Sequence, residues 1–158
     1  VSPAVYNVGL AVNLPVNAYL DVGAAYSYGW LSRSISAHTN TLGATATGYF
    51  SFAGMKPFLS AGLGEQWVHT QFGSSDFGVW GVGTGVEIPS KVFTVTPSIS
   101  YTDDLQRSTL SSQQFTFGVE LSRWVTKTTS AYAGVSYSDI SHINYDAWNY
   151  SVGLRVKF

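Results

Sequence analysis

The final stretch of the chain, residues 148–158, alternates strictly between apolar residues and polar or small ones. Successive side chains of a β-strand point to opposite faces of a sheet, so a strand here has one wholly apolar face. That face carries Trp148, Tyr150, Val152, Leu154, Val156 and Phe158. The same period of two recurs in eight earlier segments, so the pattern predicts an all-β chain of nine strands.

The predicted strands cover about residues 5–14, 18–31, 41–52, 57–70, 77–88, 92–102, 115–122, 131–138 and 148–158. Short turns are predicted at 15–17, 53–56, 89–91 and 124–129, and longer loops at 32–40, 71–76, 103–112 and 139–146. Two residues disturb the pattern. Glu65 has the parity of the apolar face, which requires either a bulge near Gly64 or a position above the apolar band. Pro97 lies inside a strand and indicates a bulge there.

The composition favours a barrel in a membrane over a barrel in water. Charged residues make up 11% of the chain, against about 25% in soluble domains. No run approaches the roughly 18 apolar residues of a membrane-spanning helix. The polar strand face consists mostly of Gly, Ser, Thr and Asn, which would make a poor solvated exterior, whereas the apolar face ends in Tyr and Trp. Alternation alone also fits a soluble barrel or a sandwich. In lipid, only a closed sheet satisfies every backbone group, so we predict one closed, antiparallel, up-and-down transmembrane β-barrel over residues 1–158.

The odd strand count conflicts with a general rule, since single-chain bacterial barrels have an even number of strands. Eight or ten strands are therefore expected. Either the first strand is misread, or a strand before Val1 is missing, or another chain supplies one. No signal peptide opens the chain, so its numbering is expected to start after one has been removed.

The terminal strand resembles the assembly signal of bacterial outer-membrane β-barrels, through Tyr150, Val152, Leu154, Val156 and the final Phe158. As a pattern, nearly the whole chain resembles the small barrels of the OmpA transmembrane domain, OmpX and OmpW group. This resemblance implies a Gram-negative outer membrane, contact with its lipid and lipopolysaccharide, and recognition by the barrel-assembly machinery. It also implies a periplasmic C-terminus, with the short turns on the periplasmic side. It carries over no functional residue.

Charged residues on the predicted inner face form the first candidate site. They are Asp21, Glu87, Glu120, Arg155 and Lys157. A charge in a narrow lumen must be paired or hydrated, so the cluster is either a set of structural salt bridges or a charged constriction that selects ions. Inward glycines at 81, 83 and 85 fit a narrow conduit, close approach by a plug, or relief of crowding where strands bend.

Small residues on the predicted outer face form the second candidate site. They are Ala24, Ala44, Ala46, Gly48 and Ala61. Small residues allow a second surface to approach closely, so the patch could serve a homo-oligomer or a larger membrane complex. The alternative is that these residues are incidental on a lipid-facing surface.

Catalysis, metal binding and cofactor binding find no support in the sequence. No Gly-x-Ser-x-Gly elbow is present, and His38, His69 and His142 are too far apart in sequence to indicate a metal site. Cysteine is absent, and the net charge of −1 argues against a nucleic-acid partner. An acidic outer rim is expected to be a solvated surface, or else to collect divalent cations; its members are Asp76, Asp103, Asp104, Asp139 and Asp146.

The expected function is that of a non-enzymatic outer-membrane barrel with a structural, surface-interaction or narrow-pore role. One alternative is a barrel subunit that anchors a larger outer-membrane assembly. Another is a fragment of a larger barrel, such as an autotransporter translocator.

Overall fold

The computed structural model describes residues 4–31, 37–105, 113–140 and 145–158, which form a closed barrel. Consecutive strands pair in an antiparallel manner, and β9 returns to β1. The strands are β1 Ala4–Asn17, β2 Leu20–Leu31, β3 Ala37–Tyr49, β4 Lys56–Thr70, β5 Gly73–Pro89, β6 Thr94–Asp104, β7 Gln114–Trp124, β8 Thr129–Ile140 and β9 Tyr145–Lys157. The predicted closed β-barrel is confirmed.

The barrel closes with nine strands, so the expected even number is wrong. In an up-and-down sheet with an odd number of strands, the first and last run in the same direction and must pair in parallel. Here β1 and β9 pair in parallel from Ala4 opposite Trp148 to Asn13 opposite Lys157. The first predicted strand is therefore a true strand, and the sheet closes without a strand from another chain.

The outer face carries the large apolar side chains, as the alternation predicts. On β1, the exposed fractions of Tyr6, Val8, Leu10, Val12 and Leu14 lie between 36% and 51%. Among the described residues, Ala147 is the only buried hydrophobic residue. The described residues therefore form no conventional apolar core, and their inner face is mostly polar or small, with Phe58 and Trp124 as large apolar exceptions.

Several predicted turns and loops are shorter in the structure. β1 continues through Pro15 to Asn17 across a register shift, and the turn lies at 18–19, where the Asn17 side chain accepts a hydrogen bond of 2.8 Å from the Tyr19 amide. β3 begins at Ala37, and β5 begins at Gly73 after a turn at only 71–72. Near these strand ends both faces are polar. The alternation of apolar and polar residues therefore stops before the pairing of the strands does. The rest of the predicted loops, at 32–36, 106–112 and 141–144, lies outside the described residues.

Neither predicted bulge is present. The register of β4 with both of its neighbours runs without a shift through Gly64, so Glu65 keeps its outward parity and is exposed. Its row continues through Gly78, whose carbonyl accepts a hydrogen bond from Leu105 just beyond the end of β6. Glu65 therefore lies toward the end of the barrel at which β6 ends, and away from the middle of the apolar band. Pro97 pairs in register with β7. On the β5 side, two successive residue pairs are missing from the ladder, but neither strand has an extra residue there, so no bulge forms.

The two ends of the barrel are named here by the residues that they carry. We call the end that carries Phe158 and the connections at 18–19, 50–55, 90–93 and 125–128 the Phe158 end, and the opposite end the Trp148 end. Because the turn at 71–72 lies at the Trp148 end, loop length separates the two ends less clearly than the sequence predicts.

The parallel junction between β1 and β9 leaves no room for side chains at its centre. Gly9 lies opposite Gly153, and the Tyr132 hydroxyl occupies the space over both. A Cβ atom at Gly153 would collide with the Gly9 carbonyl and with the Tyr132 side chain.

We therefore expect Gly153→Ala to lower the free energy of unfolding by about 1–3 kcal/mol, the usual cost of overpacking. Urea unfolding of the folded protein measures this change. Gly48→Ala is the matched control, because a Cβ there meets nothing closer than 3.9 Å. Equal effects of the two substitutions would contradict the tight junction.

Candidate functional site

A cavity of about 510 Å³ occupies the half of the lumen nearer the Phe158 end. It contains all five charged residues that the sequence places on the inner face, and Lys56 as a sixth. The charged members are Asp21, Lys56, Glu87, Glu120, Arg155 and Lys157, which we call the lumen cluster. Three are acidic and three are basic, so the cluster is balanced in charge.

One ion pair of the lumen cluster crosses the parallel junction. Lys157 on β9 donates a hydrogen bond of 2.8 Å to the Asp21 carboxylate on β2, reaching over β1. Asp21 is only 6% exposed, so little water can reach its carboxylate and Lys157 supplies the hydrogen bond that water would otherwise give. The Lys157 ammonium also lies 5.8 Å from the centre of the Tyr49 ring, at the edge of cation–π range.

A second ion pair joins β9 to β7 over β8. The Arg155 guanidinium donates two hydrogen bonds to the Glu120 carboxylate, at 3.1 and 3.3 Å. This two-pronged geometry fixes the orientation of both side chains. The guanidinium carbon lies 4.9 Å from the centre of the Tyr132 ring, so Arg155 is stacked on Tyr132. The pair and the ring together extend from the barrel wall into the lumen.

The third acid, Glu87, lies among the remaining cations. Lys56 is its direct cross-strand neighbour on β4, and Lys157 and Arg155 add favourable electrostatic interactions. The Tyr49 hydroxyl interacts with the same carboxylate. Lys56 is absent from the predicted inner-face charges because the predicted turn covers 53–56, whereas in the structure β4 begins at Lys56. Lys56 is two residues before the inward Phe58 and so has the same inward parity. Extending the predicted strand by one residue would have identified it.

A smaller cavity of about 290 Å³ lies in the lumen on the other side of Tyr132 and has no charged residue in its lining. Ser138, which is 1% exposed, is hydrogen-bonded there to Gln114, Thr116 and Asn149 at 2.8–2.9 Å. Tyr132 lines this cavity and Arg155 lines the charged one, so their stack divides the lumen into a neutral and a charged chamber.

The inward glycines of β5 are packed against their neighbours. A Cβ atom at Gly83 would lie 3.0 Å from the Ser60 hydroxyl, and one at Gly81 would lie 3.1 Å from the Tyr101 carbonyl. At Gly85 the ring of Phe58 would be 2.7 Å away. These distances favour relief of crowding over a conduit lined by glycine.

The small outward patch is largely contiguous. Ala24 lies opposite Ala44, and Ala46 lies opposite Ala61, in two neighbouring rows across β2, β3 and β4. Gly48 lies at the margin, between Leu20 and Leu59. The residues of the proposed assembly signal, Tyr150, Val152, Leu154 and Val156, all have the outward parity of β9, and Phe158 follows directly after that strand.

The structure brings together two histidines that are far apart in the sequence. His38 and His69 are cross-strand neighbours on β3 and β4, with parallel rings whose centres are 5.1 Å apart. His142 lies outside the described residues. Pairing across strands, rather than sequence spacing, was the signal for this contact.

The acidic residues at the Trp148 end are spread along its rim. Asp139 and Asp146 lie opposite each other, and the Tyr137 hydroxyl donates a hydrogen bond of 2.8 Å to Asp146. Across the described ranges, no three His, Cys, Asp or Glu residues are grouped so that they could hold a metal ion.

The Asp21–Lys157 pair yields a prediction, because Lys157 neutralises a buried carboxylate. Lys157→Gln is expected to cost about 1–3 kcal/mol in unfolding free energy, since it leaves Asp21 buried without its partner. The double variant Asp21→Asn/Lys157→Gln should recover most of that loss in urea unfolding.

Arg155→Gln is the comparison for this measurement. Its partner Glu120 has a side chain that is 27% exposed, so water can replace the lost contact and the cost should be smaller. If the Lys157 single variant and the double variant lose equal stability, the carboxylate does not depend on Lys157.

No protein-family model and no curated protein sequence matches the chain.

The part of the chain that the structure describes contains no helix long and apolar enough to cross a membrane.

Proposed function

We propose that the chain is an integral, non-enzymatic β-barrel of a bacterial outer membrane. The observation that carries this proposal is the distribution of polarity: large apolar side chains cover the outside, while serines, threonines and charged pairs line the inside. Water would penalise such an exterior, whereas hydrocarbon would favour it.

The dimensions of the outer face support a membrane. On β9 the apolar face runs from Trp148 to Phe158, about 33 Å along the strand at the usual rise per residue. A tilt of about 40°, typical of membrane barrels, reduces this to a band about 25 Å tall, which matches a hydrocarbon core.

Aromatic residues mark both edges of this band. At the Trp148 end, Tyr6 lies 5.9 Å from Trp30 and 5.6 Å from Tyr150, between ring centres. At the Phe158 end, Phe93 and Phe158 are exposed. Aromatic rings concentrate at the two interfaces of a bilayer, so the two rows support a barrel that spans the membrane.

A charge in the middle of the band tests this proposal. Leu10→Arg should reduce the stability of the barrel in lipid vesicles by about 2–4 kcal/mol, because it places a cation in hydrocarbon. Val16→Arg, at an exposed position near the Phe158 end of the same strand, should cost about 1 kcal/mol or less. Urea unfolding in vesicles measures both.

The opposite result would contradict a membrane location. A barrel whose outer face meets water should tolerate Leu10→Arg as well as Val16→Arg, and it should remain dispersed without detergent.

A second candidate function, a narrow water-filled pore, rests on the two lumen chambers. Ala25, Thr45 and Ser98 have inward parity and yet are exposed, so the side chains do not fill the lumen. The Tyr132–Arg155 stack lies between the chambers, and the balanced lumen cluster gives little reason for strong selection by charge.

Conductance across a planar bilayer tests the pore. Tyr132→Ala should raise the single-channel conductance about twofold or more, because it removes the ring between the chambers. Tyr6→Ala, which removes an outward tyrosine, should leave conductance unchanged. Silence of both the native barrel and Tyr132→Ala would reject the pore and favour a structural or anchoring role, including the larger assembly that the small outward patch would permit.

A further inference from the structure

A cavity of about 350 Å³ lies at the rim of the Phe158 end, outside the lumen cluster. It opens between the β5–β6 connection at 90–93 and the end of β7. Its lining includes Ser90, Lys91, Phe93, Ser122, Arg123 and Trp124. We call it the rim cavity.

Two cations define the chemistry of the rim cavity. Lys91 and Arg123 are both exposed, and its lining contains no acidic residue. Neither cation forms a salt bridge with any residue that the structure describes. The acidic residues of the lumen cavity, Asp21, Glu87 and Glu120, all belong to the lumen cluster. The cavity therefore has an uncompensated positive charge.

The turn that carries Lys91 is ordered by its own hydrogen bonds. The Ser90 hydroxyl donates to the Phe93 carbonyl at 2.7 Å and accepts from the Phe93 amide at 3.2 Å. The Phe93 carbonyl also accepts a hydrogen bond from the Ser90 amide at 2.8 Å. This closed turn holds the Lys91 backbone in place, which lowers the entropic cost of binding a ligand there.

Apolar rings lie beside the cations. Phe93 is 45% exposed and continues the outward parity of β6, whereas Trp124, which is 54% exposed, has the inward parity of β7 and also lines the lumen cavity. A ligand that fits this arrangement has an anionic head and an apolar body. The four connections at the Phe158 end contain two lysines and no acidic residue, whereas carboxylates predominate on the rim of the Trp148 end.

We propose that Lys91 and Arg123 bind the phosphate of an anionic phospholipid in the leaflet at the Phe158 end. Arginine can hold a phosphate with two parallel hydrogen bonds, and lysine adds a point charge. Phe93 packs against the glycerol and the upper acyl chains. This inference rests on the proposed function, since it requires the barrel to lie in a bilayer.

Native mass spectrometry of the purified barrel tests the inference, with phosphatidylglycerol and phosphatidylcholine offered at equal concentration. We expect preferential retention of phosphatidylglycerol. Lys91→Gln and Arg123→Gln should each weaken that preference about fivefold, and the double variant about 25-fold. The control is Lys127→Gln, which removes a cation at the same end and outside the cavity, and should change it less than twofold.

Three outcomes would overturn the inference. Equal retention of the two lipids would remove the role of headgroup charge. An equally large effect of Lys127→Gln would show diffuse attraction without a site. Displacement of phosphatidylglycerol by millimolar inorganic phosphate would show a general anion site.

Insertion into vesicles of pure phosphatidylcholine, measured by protection from protease, separates this inference from the proposed function. A barrel that inserts but does not prefer phosphatidylglycerol refutes the rim cavity alone. A barrel that does not insert refutes the membrane location.

Discussion

The parallel pairing of β1 with β9 is the constraint on which the rest of the barrel depends. Every strand of a barrel needs two partners, and with nine strands one of the pairs has to be parallel. That pair tolerates no side chain where Gly9 faces Gly153, and Tyr132 covers the gap from the lumen. Tyr132 in turn supports Arg155, and Arg155 holds Glu120. The chemistry of the lumen thus follows from the way the sheet closes.

The alternation of residues predicted the strands and their faces well because each face of a barrel strand meets one environment along its length. Outward Val8 and Leu10, and inward Asp21 and Lys157, all lie where their parity places them. The signal failed where both faces are polar, as at the start of β3, or where a strand continues through a bulge, as at Pro15.

Contacts between strands could not be predicted, because parity fixes a face and leaves the register open. The sequence placed Lys157 and Asp21 on the same inner face, but only the pairing around the barrel brings them to 2.8 Å. The stacking of His38 on His69 depends on register in the same way. The expectation of an even number of strands was wrong for a related reason. Whether the first and last strands can pair in parallel depends on the whole sheet, and no local pattern shows it.

The ion pair between Asp21 and Lys157 joins residues that are 136 positions apart in the chain. Bringing such distant segments together carries a large loop-closure entropy, and contacts of this range form late and slowly. Until β9 is in place, the free edges of β1 and β8 expose unpaired backbone groups to any neighbouring strand. The second edge of β1 can therefore be paired only when β9, the last strand of the sheet, reaches it.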